Sequence, residues 1–115
     1  MENETNRMLE TAMKIILAAG NAREQIQSAM VGMGAFDFAA VEEHLAQAKE
    51  YISEAHTAQT ETIQGEARGE VIPFSLLFTH AQDHLMTVIS EHQTAKNLLT
   101  VFRSLDQRIS ELENK

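Results

Sequence analysis

The chain has no cysteine and no tryptophan, and only one proline and five glycines in 115 residues. Without cysteine there is no disulfide framework and no thiolate metal site. With one proline and few β-branched runs, little interrupts helix formation, and Ala, Glu, Gln, Leu and Met are abundant. Basic residues are scarce: 9 Lys+Arg against 17 Asp+Glu give a net charge of −8. That balance argues against nucleic acid, whose phosphates need clustered cations, and against an anionic membrane surface. No stretch approaches the ~18 apolar residues of a membrane span. The first seven residues are polar and acidic, without the basic start and apolar run of a signal peptide. The chain therefore reads as soluble and cytoplasmic. Its length suits one domain over residues 1–115, burying roughly two-thirds of its unfolded surface.

What is present is helical periodicity. Met8, Ala12, Ile15, Ala19, Ala22, Ile26, Ala29 and Met33 repeat at spacings of four and three, which predicts a first helix from about Glu4 to Met33. Gly20 lies inside it at a cost of about 1 kcal/mol against Ala, which suggests close backbone packing there. After the break Gly32–Asp37, Asp37 is the expected N-cap of a second helix. Phe38, Val41, Leu45, Ala48, Ile52 and Ala55 carry the rhythm until Gln59 interrupts it, and the helix should end near Gly65. A third helix is expected to start at Pro73 and to bury Phe78, Ala81, Leu85, Val88, Ala95, Leu99 and Phe102, with His92 as the odd member. Leu105, Ile109 and Leu112 could extend it nearly to the C-terminus. Short connections then give an all-α, antiparallel up-down-up three-helix bundle with helices on the order of 40 Å long.

The third helix carries too little charge for an outer helix. Between Phe74 and Phe102 the only formally charged residues are Asp83, Glu91 and Lys96. Ser75, Thr79, Gln82, Thr87, Ser90, Gln93, Thr94 and Asn97 occupy the faces beside its apolar stripe. An exposed helix normally shows a charged face to solvent, so this one is expected to be covered on a second side. Self-association through the third helix is the simplest cover. A monomer with a Ser/Thr-rich face is the alternative.

Five histidines are the candidates for chemistry. Neither His-Glu-x-x-His nor Glu-x-x-His occurs, which disfavours a zinc protease and a di-iron bundle. His80, Gln82, Asp83 and His84 cluster near the start of the third helix, with His80 sharing a side with Asp83 and with His84. Counting turns from the connection puts His56 and Gln59 at a similar height on the second helix, so a polar pocket of His56, Gln59, His80, Gln82 and His84 is allowed. An imidazole is free and nucleophilic near neutral pH and can accept and pass on a phosphoryl group. Asp83 opposes that role unless it is turned away or neutralised by a cation. On composition alone, solvated or structurally bonded histidines are the plainer reading. His44 reads as a solvated residue in an acidic run, and His92 as a satisfied core histidine.

The run His80-Ala81-Gln82-Asp83-His84-Leu85-Met86-Thr87 resembles the active-site segment of enzyme IIA of the lactose/cellobiose family, part of the bacterial phosphoenolpyruvate-dependent sugar phosphotransferase system. Glu54-Ala55-His56-Thr57-Ala58-Gln59-Thr60, with Ile63 and Gly65, resembles a second block, and Ala19-Gly20-Asn21-Ala22-Arg23 a third. The resemblance spans roughly residues 8 to 105 and implies a homotrimer, a nine-helix bundle. It implies that His80 becomes a tele-phosphohistidine, loaded from phospho-HPr and emptied onto a cysteine of the cognate IIB, with IIC reached through IIB. Asp83 matches an aspartate whose three copies meet around a structural divalent cation such as Mg²⁺. Gln82 and His84 match positions beside the nucleophile, and His56 and Gln59 are pocket-lining candidates. Residues 1–7 and 106–115 fall outside the resemblance and are candidates for disorder. The Ala81 form of the segment leans towards cellobiose or a related β-glucoside over lactose. A helical interaction or regulatory module with the same fold and no phosphotransfer is the competing reading.

Overall fold

The computed structural model describes residues 2–115 and, within them, three helices: α1 (Glu2–Gly34), α2 (Phe38–Ala67) and α3 (Leu76–Glu113). α1 and α2 run antiparallel, as do α2 and α3, so the topology is up-down-up. The core is most of the set the periodicity selects, although Phe38, Ile52, Leu99 and Phe102 are only partly buried. Ile15, Met33, Val41, Leu85 and Val88 are its largest fully buried side chains, with alanines of all three helices packed between them. Small residues on the inner faces let the helix axes approach closely.

The α1–α2 turn departs from expectation in one respect. Gly32 and Gly34 lie in the last turn of α1, yet the left-handed residue is Phe36, with φ of 57°. Its N–H donates to the Met33 carbonyl at 3.0 Å, and the Asp37 N–H donates to the Gly32 carbonyl at 2.9 Å. This is the hydrogen-bond pattern of a Schellman cap, with a phenylalanine where glycine is usual. The Phe36 ring lies 5.7 Å from Phe38 and 5.9 Å from Phe102, centroid to centroid, and these contacts offset the backbone cost. Asp37 is the N-cap of α2 as expected, accepting from the Ala40 N–H at 3.3 Å.

α2 ends at Ala67, and Gly69 takes the left-handed position with φ of 94°. α3 begins at Leu76 and not at Pro73. Ser75 is extended, with φ −141° and ψ 119°, and its Oγ accepts the Phe78 N–H at 3.1 Å. A capping hydroxyl outcompetes the weaker preference of proline for a first helical position, so the chain from Glu70 to Ser75 is not helical. Gly20 also differs from expectation. Apart from its own turn of helix backbone, no atom lies within 4 Å of where its Cβ would sit, so no packing neighbour within the chain requires glycine there.

Both ends are helical where the sequence allowed disorder, across residues 2–7 and 106–113. Arg103 pairs with Glu42 near the start of α2, and Phe102 meets Phe36 in the turn, so α3 outruns the bundle beyond that level. At 1.5 Å per residue the 38-residue helix is about 57 Å long, against the expected 40 Å. Leu105, Ile109 and Leu112 are exposed on this overhang.

Candidate functional site

The Ser75 cap fixes where α3 starts, and His80 follows in its second turn. His80 is exposed, and His84 is half-buried one turn further on. Their rings are nearly parallel, 5° apart in plane with centroids 6.4 Å from one another. The two imidazoles form one outward row because side chains four apart on a helix stand one above the other.

His84 is tied to α1 by Arg23. The guanidinium makes two bonds to Glu91 on α3, Nε to Oε2 at 2.9 Å and Nη2 to Oε1 at 3.0 Å. Its third nitrogen, Nη1, lies 3.5 Å from His84 Nδ1. The His84 pKa is lowered from its ordinary 6.5, by burial first, then by the charges of Arg23 and His80, with Glu91 acting in the opposite direction. The ring is therefore held neutral to lower pH than a free imidazole.

The remaining candidates separate. Gln82 faces the α2 side of α3 and lines a groove of about 290 Å³ with Thr62, Phe74, Phe78 and Thr79. Neither His56, Gln59, His80 nor His84 lines that groove. Gln59 is turned inward and is only 7% exposed, whereas His56 is on the surface of α2. One chain thus brings together His80 and His84, with Asp83 beside them, and leaves Gln82 on another side of the helix. His92 is a satisfied histidine as expected, with Nε2 donating to the Leu45 carbonyl at 3.0 Å. His44 is not merely solvated: its Nδ1 donates to Gln25 Oε1 on α1 at 2.8 Å, because α2 turns this face towards α1.

Asp83 is exposed on the outward face of α3. Among the described residues no three His, Cys, Asp or Glu side chains gather closely enough to hold a metal. A single outward carboxylate could hold a hard, oxygen-seeking cation only with further oxygen donors from outside this chain. The surrounding face is uncharged. Thr79 and Thr87 donate their hydroxyls to the backbone carbonyls four residues before them, those of Ser75 and Asp83, at 3.1 and 2.9 Å.

Arg23 and Glu91 are the site residues whose pairing sequence reasoning missed. A signal existed: Arg23 is the only basic residue between Lys14 and Lys49, and Glu91 is one of three charges on a long stretch of α3. An isolated cation and an isolated anion beside core stripes are candidates for each other.

The fold and site define a small all-α bundle whose third helix displays a row of imidazoles at its surface. Among described residues, no helix is long and apolar enough to cross a membrane. Residues 10–103 match the family model described as "PTS system, Lactose/Cellobiose specific IIA subunit". The cellobiose-specific EIIA component of Lactococcus lactis subsp. lactis (strain IL1403) is 38% identical over 115 residues, covering 99% of this chain and 96% of that one. The lactose-specific EIIA component of Staphylococcus aureus is 37% identical over 90 residues, covering 78% and 87%. The crystal structure of the PTS cellobiose-specific enzyme IIA from Bacillus anthracis superposes with a TM-score of 0.80 at 39% identity, covering 85% and 90%. The chain belongs to the lactose/cellobiose-specific IIA family of the phosphotransferase system. IIA components of this system work with HPr and with IIB.

Proposed function

We propose that the chain is a phosphoryl carrier whose His80 Nε2 takes a phosphoryl group from phospho-HPr and yields it to a cysteine thiolate of its cognate IIB. The exposed position of His80, inside the segment that carries the family resemblance, is the observation that supports this most. In the first transfer the unprotonated Nε2 forms a bond to phosphorus as the bond from phosphorus to the donor breaks. In the second, that P–N bond breaks as the thiolate sulfur bonds to phosphorus. An exposed ring suits both steps, because two different proteins must reach the same nitrogen in turn. IIB then serves IIC, which moves the sugar. The Ala81 form of the segment favours cellobiose or another β-glucoside over lactose, while relatives named for either sugar match at nearly equal identity, 38% and 37%.

The working unit in this reading is a homotrimer joined along α3, with three Asp83 carboxylates holding one structural Mg²⁺. Like charges brought together on an axis repel, and a divalent cation supplies the offsetting charge. The uncharged Thr, Ser and Asn face beside Asp83 supports this assembly, as do exposed Leu76 and Val101.

The test is intact mass and peptide mapping after incubation with phosphoenolpyruvate, enzyme I and HPr. The expected result is one acid-labile phosphoryl group on the His80 peptide, lost in His80→Ala. A folded, trimeric chain that stays unmodified would instead be an interaction module with the same fold.

A further inference from the structure

The carrier reading uses His80 and leaves Arg23 unexplained. Arg23 comes from α1, sixty-one residues before His84 in sequence, yet it reaches across to the imidazole row. Its guanidinium is planar and always protonated, and it has five N–H donors and no acceptor. The two bonds to Glu91 fix the plane of the fork and leave Nη1 directed at His84 Nδ1. A group that only donates can meet Nδ1 only if Nδ1 accepts. The proton of the neutral ring then resides on Nε2. Glu91 stands seven residues after His84, two turns along the same side of α3, so α3 supplies both the ring and the anchor of the arginine.

We propose that Arg23 is a positioning residue for phosphotransfer: anchored by Glu91, it holds His84 as the Nε2–H tautomer, which donates a hydrogen bond to a phosphoryl oxygen carried on His80. The proposal rests on the carrier reading of His80. No proton is gained or lost in the arrangement, since Nη1–H donates, Nδ1 accepts and the ring hydrogen stays on Nε2. A phosphoryl group carries several negatively charged oxygens, and a neutral N–H beside it stabilises the loaded state without trapping it as a cation would. The parallel setting of the two rings, one turn apart, places donor and carrier in one row. Lysine cannot substitute, because a point charge does not make the two-bond anchor that aims the third nitrogen.

The experiment uses the full-length chain labelled with ¹⁵N at histidine, at pH 8 where the imidazole is neutral. Long-range ¹H–¹⁵N spectra report the tautomer of His84, and rapid-quench assays with phospho-HPr report transfer. The wild type is expected to show one Nε2–H form. Arg23→Met should give a mixture of tautomers and about tenfold slower maximal transfer with KM for phospho-HPr unchanged. Arg23→Lys should not rescue either readout, and Glu91→Gln, which keeps the arginine but weakens its anchor, should fall between. A folded Arg23→Met that keeps the single tautomer, or that transfers at the wild-type rate, overturns the proposal while leaving the carrier reading intact. A wild-type chain with no phosphoryl group on His80 overturns the carrier reading and this role with it.

Discussion

His92 on α3 donates from Nε2 to the carbonyl oxygen of Leu45 on α2, joining the two helices by a polar bond beside buried leucine. Leu45 is buried and its carbonyl sits inside a helix, so this bond is a second use of that oxygen. Replacing His92 with phenylalanine keeps ring volume and removes the donor. The expected loss is about 1 kcal/mol in denaturant unfolding, with phosphorylation of His80 unaffected. Unchanged stability would show that this bond adds nothing to the other contacts of the seam.

The left-handed Phe36 sets backbone strain against aromatic contact. Phe36→Gly removes a backbone cost of roughly 1–2 kcal/mol. It also removes two ring contacts of roughly 0.5–1.5 kcal/mol each, together with the burial of a partly covered phenyl ring. The expected net effect is a lower melting temperature. A higher one, measured by calorimetry, would mean that strain dominates at this turn.

Gly20 is the opposite case, since a Cβ there meets nothing within the chain beyond its own turn of helix backbone. Gly20→Ala is expected to stabilise the folded chain by about 1 kcal/mol, by restricting the unfolded backbone. A fall in stability that appears only at concentrations where copies associate would place a second copy against this position.

The lowered pKa of His84 gives stability a direction with pH. Between the folded-state value and the ordinary 6.5, the unfolded chain binds more protons than the folded one. The contribution of this ring is therefore complete above 6.5, shrinks as pH falls below it, and levels off below the folded value. The site is partly solvated, so the slope is expected to be shallow. Denaturant midpoints between pH 8 and pH 5 should decline less in Arg23→Met, which loses one cause of the shift. A steeper decline in that variant would contradict the assignment.

The proposed trimer makes a separate prediction. Chelation with EDTA should weaken association measured by sedimentation, because three carboxylates then face one another unshielded. Asp83→Asn should associate independently of Mg²⁺. Equal metal dependence in both proteins would remove Asp83 from the axis.

Much of the fold was legible because the cores of long helices repeat. All eight residues chosen on α1, from Met8 to Met33, are buried, and Gln59 is buried where the α2 pattern broke. The beginning of α3 was misread because proline and a capping serine compete within three residues, and the side-chain bond that decides between them is not periodic. The site was legible along one helix and opaque between helices. Neighbours such as His80 and His84 follow from spacing, whereas the pairing of Arg23 with Glu91 depends on the rotation of α1 against α3. The same limitation explains why Gln82, two residues from His80, faces a different groove.

The stretch of α3 beyond Arg103 supplies a built-in gauge of assembly. In one copy, the amides near Leu105, Ile109 and Leu112 belong to a helix end with exposed apolar side chains and no neighbouring helix. Such backbone opens locally at little cost, so its deuterium uptake should be fast while the bundle amides exchange slowly. Three copies aligned along α3 would bring these leucines and isoleucines together and slow that uptake. Exchange in residues 104–113, followed against protein concentration, therefore reports the fraction of chain in the assembled state without any label or partner.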